Sequence, residues 1–329
     1  MKGLDLAEAY YAECGRLLVA EHFPDYQGRI AAGLVGEGSE CYGFDDELSR
    51  DHDWGPGFCL WLSADDYEQI GAELQARYDA LPKIFQGYER LLEGPHAGKR
   101  TGVFAITDFY RRFIRYDHVP TTLAEWRSLP ETYLATATNG RVFSDPLGEF
   151  TAFREGLLAF YPEDVRLKKL AARCAMAGQT GQYNYRRCVA RGELVAAHCA
   201  LSNFIEAVIS IVYLLNKRYR PFYKWMHRGM KELPILGPAC YALLADLCAE
   251  GGGRSAEETR AGSGAAGSTG GGVFARNERI VEEISALLVA HLTVEGLSDS
   301  ESDFLLDHAH AVQANIRNEA LRGMHVMME

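Results

Sequence analysis

Two aspartates one residue apart, Asp51 and Asp53 in "SRDHDWG", lie a dozen residues beyond a glycine-serine turn, "GEGS", at residues 36–39. On an extended segment the two carboxylates share a side, roughly 6 to 7 Å apart along the chain, and His52 points away. A like-charged pair at about 4 Å is unfavourable by roughly 1 to 4 kcal/mol at effective dielectrics from 80 to 20. A hard divalent cation reverses that sign and can bridge the oxygens of a phosphorylated ligand. The turn supplies the matching half. Gly36 and Gly38 leave main-chain N–H groups open to close approach, and the Ser39 hydroxyl adds a donor for phosphate. Between them, Asp45, Asp46 and Glu47 read as a solvated acidic loop, and Ser49 as a brace for the turn into Asp51.

These residues need strands to hold them. "RIAAGLVGEGSE" reads as a short buried strand entering the turn, and "DHDWGPGFCLWLS" as a second strand distorted at Gly55, Pro56 and Gly57. A helix capped by Ser63 follows in "ADDYEQIGAELQARYDALPKIF". "RTGVFAITDFY" returns to strand character, with Phe104, Ile106 and Asp108 on one face. An N-terminal helix ends before Pro24. From about Phe150 the pattern becomes helical, with "QTGQYN" as a break and one very long helix over 185–219. The expectation is an α+β chain: a small mixed sheet with flanking helices over 1–149, then an all-α bundle over 150–329. A flexible glycine- and serine-rich insert sits at about 250–273.

The glycine-serine turn, the spacing "ECYGFDDELSR" and "DHD" resemble the nucleotidyltransferase superfamily related to DNA polymerase beta. With "TNGRVFSDPLGEF", "GQYNYRRCVARGE" and "YLLNKRYRPFYKW", the chain resembles a bacterial nucleotidyltransferase-like family of unassigned function, in which a helical domain follows. The resemblance implies transfer of a nucleoside monophosphate from a nucleoside triphosphate, ATP first among them, to a hydroxyl of a small molecule or protein. Pyrophosphate is released. It implies that Gly36, Gly38 and Ser39 hold the triphosphate and that Asp51 and Asp53 bind Mg2+ or Mn2+. A third carboxylate usually comes from a later strand in that superfamily. Asp108 is favoured for it, and Asp145, beside Pro146 and read as a turn residue, is the rival.

In the helical half, Asn184, Arg187, Arg191 and His198 recur at steps of three, four and seven, one stripe if the segment is a single helix. Arg187 and Arg191 can pair phosphate oxygens or form a salt-bridge seam. In "NKRYRPFYKWMHR", Lys224 can neutralise phosphate beside the aromatic Tyr223 and Trp225. "RGELVAAH" is weakly similar to the arginine-to-histidine spacing of helical ribonuclease domains.

The net charge of −11 disfavours a broad nucleic-acid surface. No membrane partner is expected, because the apolar run "FIEAVISIVYLL" is short and carries Glu206, and the chain reads as cytoplasmic. Eight cysteines without zinc spacing read as reduced and mostly buried thiols. The competing reading is a catalytically silent nucleotide-sensing or interaction protein of the same fold.

Overall fold

The computed structural model describes residues 1–51, 54–90, 99–249 and 269–329, and the chain divides into two compact units, Met1–Phe160 and Tyr161–Glu329. The first is α+β. Helices α1 (Gly3–Tyr10) and α2 (Arg16–His22) run on from one another through a π-turn and lead to β1 (Ala31–Leu34). Then come β2 (Cys59–Leu62), α3 (Ala64–Asp79), the hairpin β3 (Ile84–Phe85) and β4 (Tyr88–Glu89), and β5 (Gly102–Ala105). Helices α4 (Ile106–Ile114), α5 (Leu123–Ser128) and α6 (Glu131–Thr138), strand β6 (Arg141–Ser144) and helix α7 (Glu149–Leu158) complete the unit.

The sheet order is β5-β2-β1-β6, with β2 and β5 parallel and both β1 pairings antiparallel. Both faces of β2 are buried, so its residues sort by alternation into two cores. Leu60 and Leu62 join Leu6, Tyr10, Leu74 and Tyr78. Trp61, on the opposite face, stacks on Phe150 with centroids 3.8 Å apart and meets Phe109 edge-on. That stack keeps α7 in the first unit, so the change of pattern at Phe150 marks its last helix and the units join at Phe160.

Two strand expectations are corrected. The second strand begins at Cys59, well after "DHD": Gly55 adopts φ +147° and a Cβ there would lie 2.5 Å from Glu89 O, and Pro56 offers no N–H to a ladder. The segment "RTGVFAITDFY" is a strand only to Ala105. Its continuation is α4, whose buried Ile106, Phe109, Tyr110, Phe113 and Ile114 follow helical spacing.

The second unit is helical. It comprises α8 (Glu163–Ala177), a π-turn over Gly178–Tyr185, α9 (Arg186–Ala190), α10 (Leu194–Leu215), α11 (Tyr223–Met230), α12 (Gly237–Cys248), α13 (Thr269–Val294), α14 (Leu305–Ala314) and α15 (Glu319–Arg322). "QTGQYN" is no break, because the π-turn carries the helix through it. Its glycines serve close packing: a Cβ at Gly181 would lie 2.3 Å from the Phe204 ring, and one at Gly178 2.8 Å from Leu306 N. The break falls at Gly192, φ +75°, where Gly192 N–H bonds Val189 O and Glu193 N–H bonds Cys188 O. The single long helix is therefore two. Most of the glycine-rich insert lies outside the described residues, and its expected end, 269–273, is the first turn of α13.

Helix α10 has the length and apolar composition of a membrane span, and half of that stretch is buried, including Ala207 to Leu215. Helix α8 buries the whole run Val165–Ala172, Lys168 included at 0% exposure. The Lys168 ammonium donates to Gln313 Oε1 at 2.8 Å and to the carbonyls of His325 and Val326 at 3.0 Å. Gln313 in turn donates to Arg322 O and Met324 O, so residues 322–326 form a strap against the α8/α14 pair.

Candidate functional site

The Gly36–Ser39 turn leaves the end of β1 with alternate glycines in the left-handed region, Gly36 at φ +126° and Gly38 at φ +121°. One side of it is pinned by Asn139, which ends α6. The Gly36 N–H donates to Asn139 Oδ1 at 2.9 Å, and Asn139 Nδ2 donates to Gly36 O at 2.8 Å. Gly140 continues the clamp, its N–H bonding Cys41 O at 2.8 Å; a Cβ there would sit 2.0 Å from Leu34 O. From α7, Arg154 braces this corner by donating to Thr138 O at 2.7 Å and Asn139 O at 3.2 Å. Gly36 is thus a structural member of the turn, its amide already engaged. The N–H groups of Glu37, Gly38 and Ser39 have no acceptor among the described residues.

The other side is held by Arg100, which no local pattern pointed to. Its Nε donates to Glu37 O at 3.1 Å, and its Nη2 meets Glu37 O and, at 2.5 Å, Glu40 Oε1. The side chains of Arg100 and Glu40 are 11% and 8% exposed. Burial raises the Glu40 carboxyl above its ordinary range, against the opposing charge of Arg100. Sequence reasoning missed the pair because sixty positions separate the two residues.

The acidic loop is less solvated than its composition indicates. Asp45 is 3% exposed and accepts from Gly3 N–H at 2.8 Å and Trp54 Nε1–H at 3.2 Å, with Lys2 Nζ 3.5 Å from Oδ1. It ties the loop to the start of α1. Asp46 and Ser49 do form a reciprocal turn brace, Ser49 N–H and Oγ–H both donating to Asp46 Oδ1 at 3.1 Å.

Asp51 is exposed and ends a 3₁₀ turn with helical backbone angles, φ −74° and ψ −29°. The extended geometry expected for it is therefore corrected, and His52 and Asp53 lie outside the described residues. Asp108 stands in the first turn of α4 rather than at a strand end, 2.7 Å from Nη1 of Arg111, whose Nη2 holds Asp117 at 2.8 Å. Asp145 accepts from the N–H groups of Gly148 and Thr151 at 3.1 and 2.7 Å, anchoring the start of α7. Both candidates for a third carboxylate thus make local contacts, Asp108 with Arg111 and Asp145 with the start of α7. Among the described residues no three His, Cys, Asp or Glu side chains are grouped to hold a metal ion. Carboxylate oxygens at Asp51 and Asp53 suit a hard cation such as Mg2+ by their chemistry. Cys41 is fully buried, and burial pushes its thiol well above the ordinary range, which suits core packing and not nucleophilic work.

The polar stripe of the helical unit is dispersed by the Gly192 break. Asn184 sits in the π-turn, Arg187 on α9 stacks over Tyr183 at 4.8 Å, Arg191 caps α9, and His198 on α10 bonds back to Leu194 O. Arg187 and Arg191 are exposed, as is Lys224 in the first turn of α11, 6.0 Å from the Trp225 ring.

A family model described as a domain of unknown function (DUF4037) matches residues 126–226, from within α5 to within α11. No curated protein matches the chain. Among solved structures, the chain is similar to the crystal structure of a nucleotidyltransferase-like protein from Exiguobacterium sibiricum 255-15. The two share 10% identity and a TM-score of 0.36, over 86% of this chain and 77% of that one.

Proposed function

We propose that the chain is a metal-dependent nucleotidyltransferase that moves a nucleoside monophosphate from ATP or another nucleoside triphosphate to a hydroxyl of a small molecule or protein. The observation that carries the reading is the Gly36–Ser39 turn. Three successive amides, Glu37 to Ser39, have no acceptor among the described residues, the half-buried Arg100 guanidinium lies against Gly38, and Asp51 and Asp53 follow at metal-binding spacing. Gly38 and Ser39 would bind the polyphosphate, and Asp51 and Asp53 would hold Mg2+ or Mn2+. When bound, the ion supplies charge neutralisation between the phosphates and orients an in-line displacement. The chain's own work is positioning: Asn139 and Arg154 fix the turn, and Arg100 sets its electrostatics. In the helical unit, Arg187, Arg191 and Lys224 are the proposed anion contacts.

Incubation with labelled nucleoside triphosphates and cell extract, followed by mass analysis, tests this reading directly. Asp53→Asn is expected to abolish pyrophosphate release with the melting temperature unchanged; undiminished release from that variant rules the assignment out. The second reading, a nucleotide-binding protein without turnover, is favoured by one observation. Asp108 and Asp145 are both committed elsewhere, to Arg111 and to the start of α7. It expects nucleotide binding with no pyrophosphate released.

A further inference from the structure

We propose that Arg100 is the guanidinium that receives a phosphate group at the Gly36–Ser39 turn, and that Glu40 is its exchangeable counter-ion, displaced when a polyphosphate binds. The inference rests on the polyphosphate reading of the turn and adds its recognition residue and its competitor. Three observations converge on it. First, Arg100 reaches this turn with two of its nitrogens, Nε on Glu37 O at 3.1 Å and Nη2 on Glu40 Oε1 at 2.5 Å. Second, the ion pair lies directly against the Gly38 main chain. A Cβ at that position would fall 2.1 Å from Arg100 Nη2 and 2.5 Å from each Glu40 carboxylate oxygen. The absence of a side chain at residue 38 is what admits a charged group to the backbone here, and a phosphate oxygen fits the same opening. Third, the amides of Glu37, Gly38 and Ser39 have no acceptor among the described residues and stand beside that guanidinium, so the donors outnumber what one carboxylate at Glu40 takes up.

The pair is also poised for exchange. Glu40 is 6% exposed, and α1 closes over it, Gly3 lying against its Cβ and Cγ. Burial disfavours its charge, Arg100 is the principal group that sustains it, and Asp45, itself paired to Lys2, adds repulsion. A phosphate presents paired oxygens and more charge to the guanidinium fork than this carboxylate does, and it accepts from main-chain amides as well. The simpler alternative is a fixed structural ion pair. Such a pair contributes through its geometry and gains nothing from losing one charge, because the surviving charge is left buried and uncompensated.

Calorimetric titration of the full chain with inorganic pyrophosphate in Mg2+ buffer separates the two. Glu40→Gln keeps an oxygen for Arg100 and removes the competing charge, and is expected to tighten pyrophosphate binding about tenfold, the low end for a close buried charge. Arg100→Gln is expected to weaken it at least about tenfold, Arg100→Lys by less, and the double variant should follow Arg100→Gln. Glu40→Asp, which keeps the charge at shorter reach, is expected to bind between wild type and Glu40→Gln. It serves as the readout if Glu40→Gln does not fold. Unchanged or weaker binding in folded Glu40→Gln, or in folded Glu40→Asp where that is the readout, overturns the proposal, as does the absence of pyrophosphate binding in both wild type and Glu40→Gln. A chain that shows the expected pattern and yet releases no pyrophosphate from nucleoside triphosphates overturns the transferase reading alone. Confirmed transfer with Glu40 variants indistinguishable from wild type overturns this proposal alone.

Discussion

Glu125 shows how single residues in this chain are tuned by the backbone around them. The N–H groups of Thr121 and Thr122 hold its carboxyl down at about 2, and it closes a reciprocal cap with Thr122 at the start of α5. Its folded value lies below the ordinary 4.5, so its contribution is complete above about pH 4.5 and fades as the pH falls through about 2. Glu125→Gln is expected to flatten the pH dependence of unfolding in that window, measured by chemical denaturation at stepped pH. Local roles of this kind were legible in the sequence where donor and acceptor are neighbours. The Ser63 cap is present, its side chain accepting from Asp66 N–H, and so is the Ser49 brace. Asp45 was misread because its partners, Gly3 and Trp54, come from other elements, and a cluster of three acids gives no sign of which one is buried.

At the scale of elements, glycine was the residue whose meaning the sequence left open. In "GQTGQYN" it permits neighbouring chains to touch, and in "ARGE" it stops a helix. Both uses follow from the missing Cβ, and only the neighbours tell them apart. The Gly192 stop is predicted to respond to Gly192→Ala by about 1 kcal/mol of destabilisation, since its φ of +75° is strained for any L side chain although no atom lies in the way. Urea denaturation measures it, and a loss under a few tenths would show that the helix can run through. The same break explains why a periodic stripe over Asn184, Arg187, Arg191 and His198 does not survive: periodicity is meaningful only while one helical axis persists. The short strands were located but overextended. Hydrophobic alternation in "RTGVFAITDFY" is compatible with both periods until the α4 face, Phe109, Tyr110 and Phe113, is seen to be buried.

Over the whole molecule, composition and texture sufficed for an α+β chain with a helical second half, whereas the clamp on the Gly36–Ser39 turn was out of reach. Asn139 and Arg100 reach that turn from 103 and 63 positions away, Arg154 bracing Asn139 in turn, and no spacing rule spans such intervals. The helical unit has its own long-range anchor. Lys168→Met is expected to cost on the order of 3 kcal/mol, because three acceptors lose a charged donor in a buried setting, and a midpoint shift in urea reads it out. Two of those acceptors are main-chain carbonyls, which every amino acid carries. The strap over α8 is therefore recognised by its path and not by its lettering. Exchanges at His325 can accumulate without loosening the bundle, whereas inserting or deleting one residue between Arg322 and Val326 would shift the carbonyls out of register and undo the anchorage at a stroke.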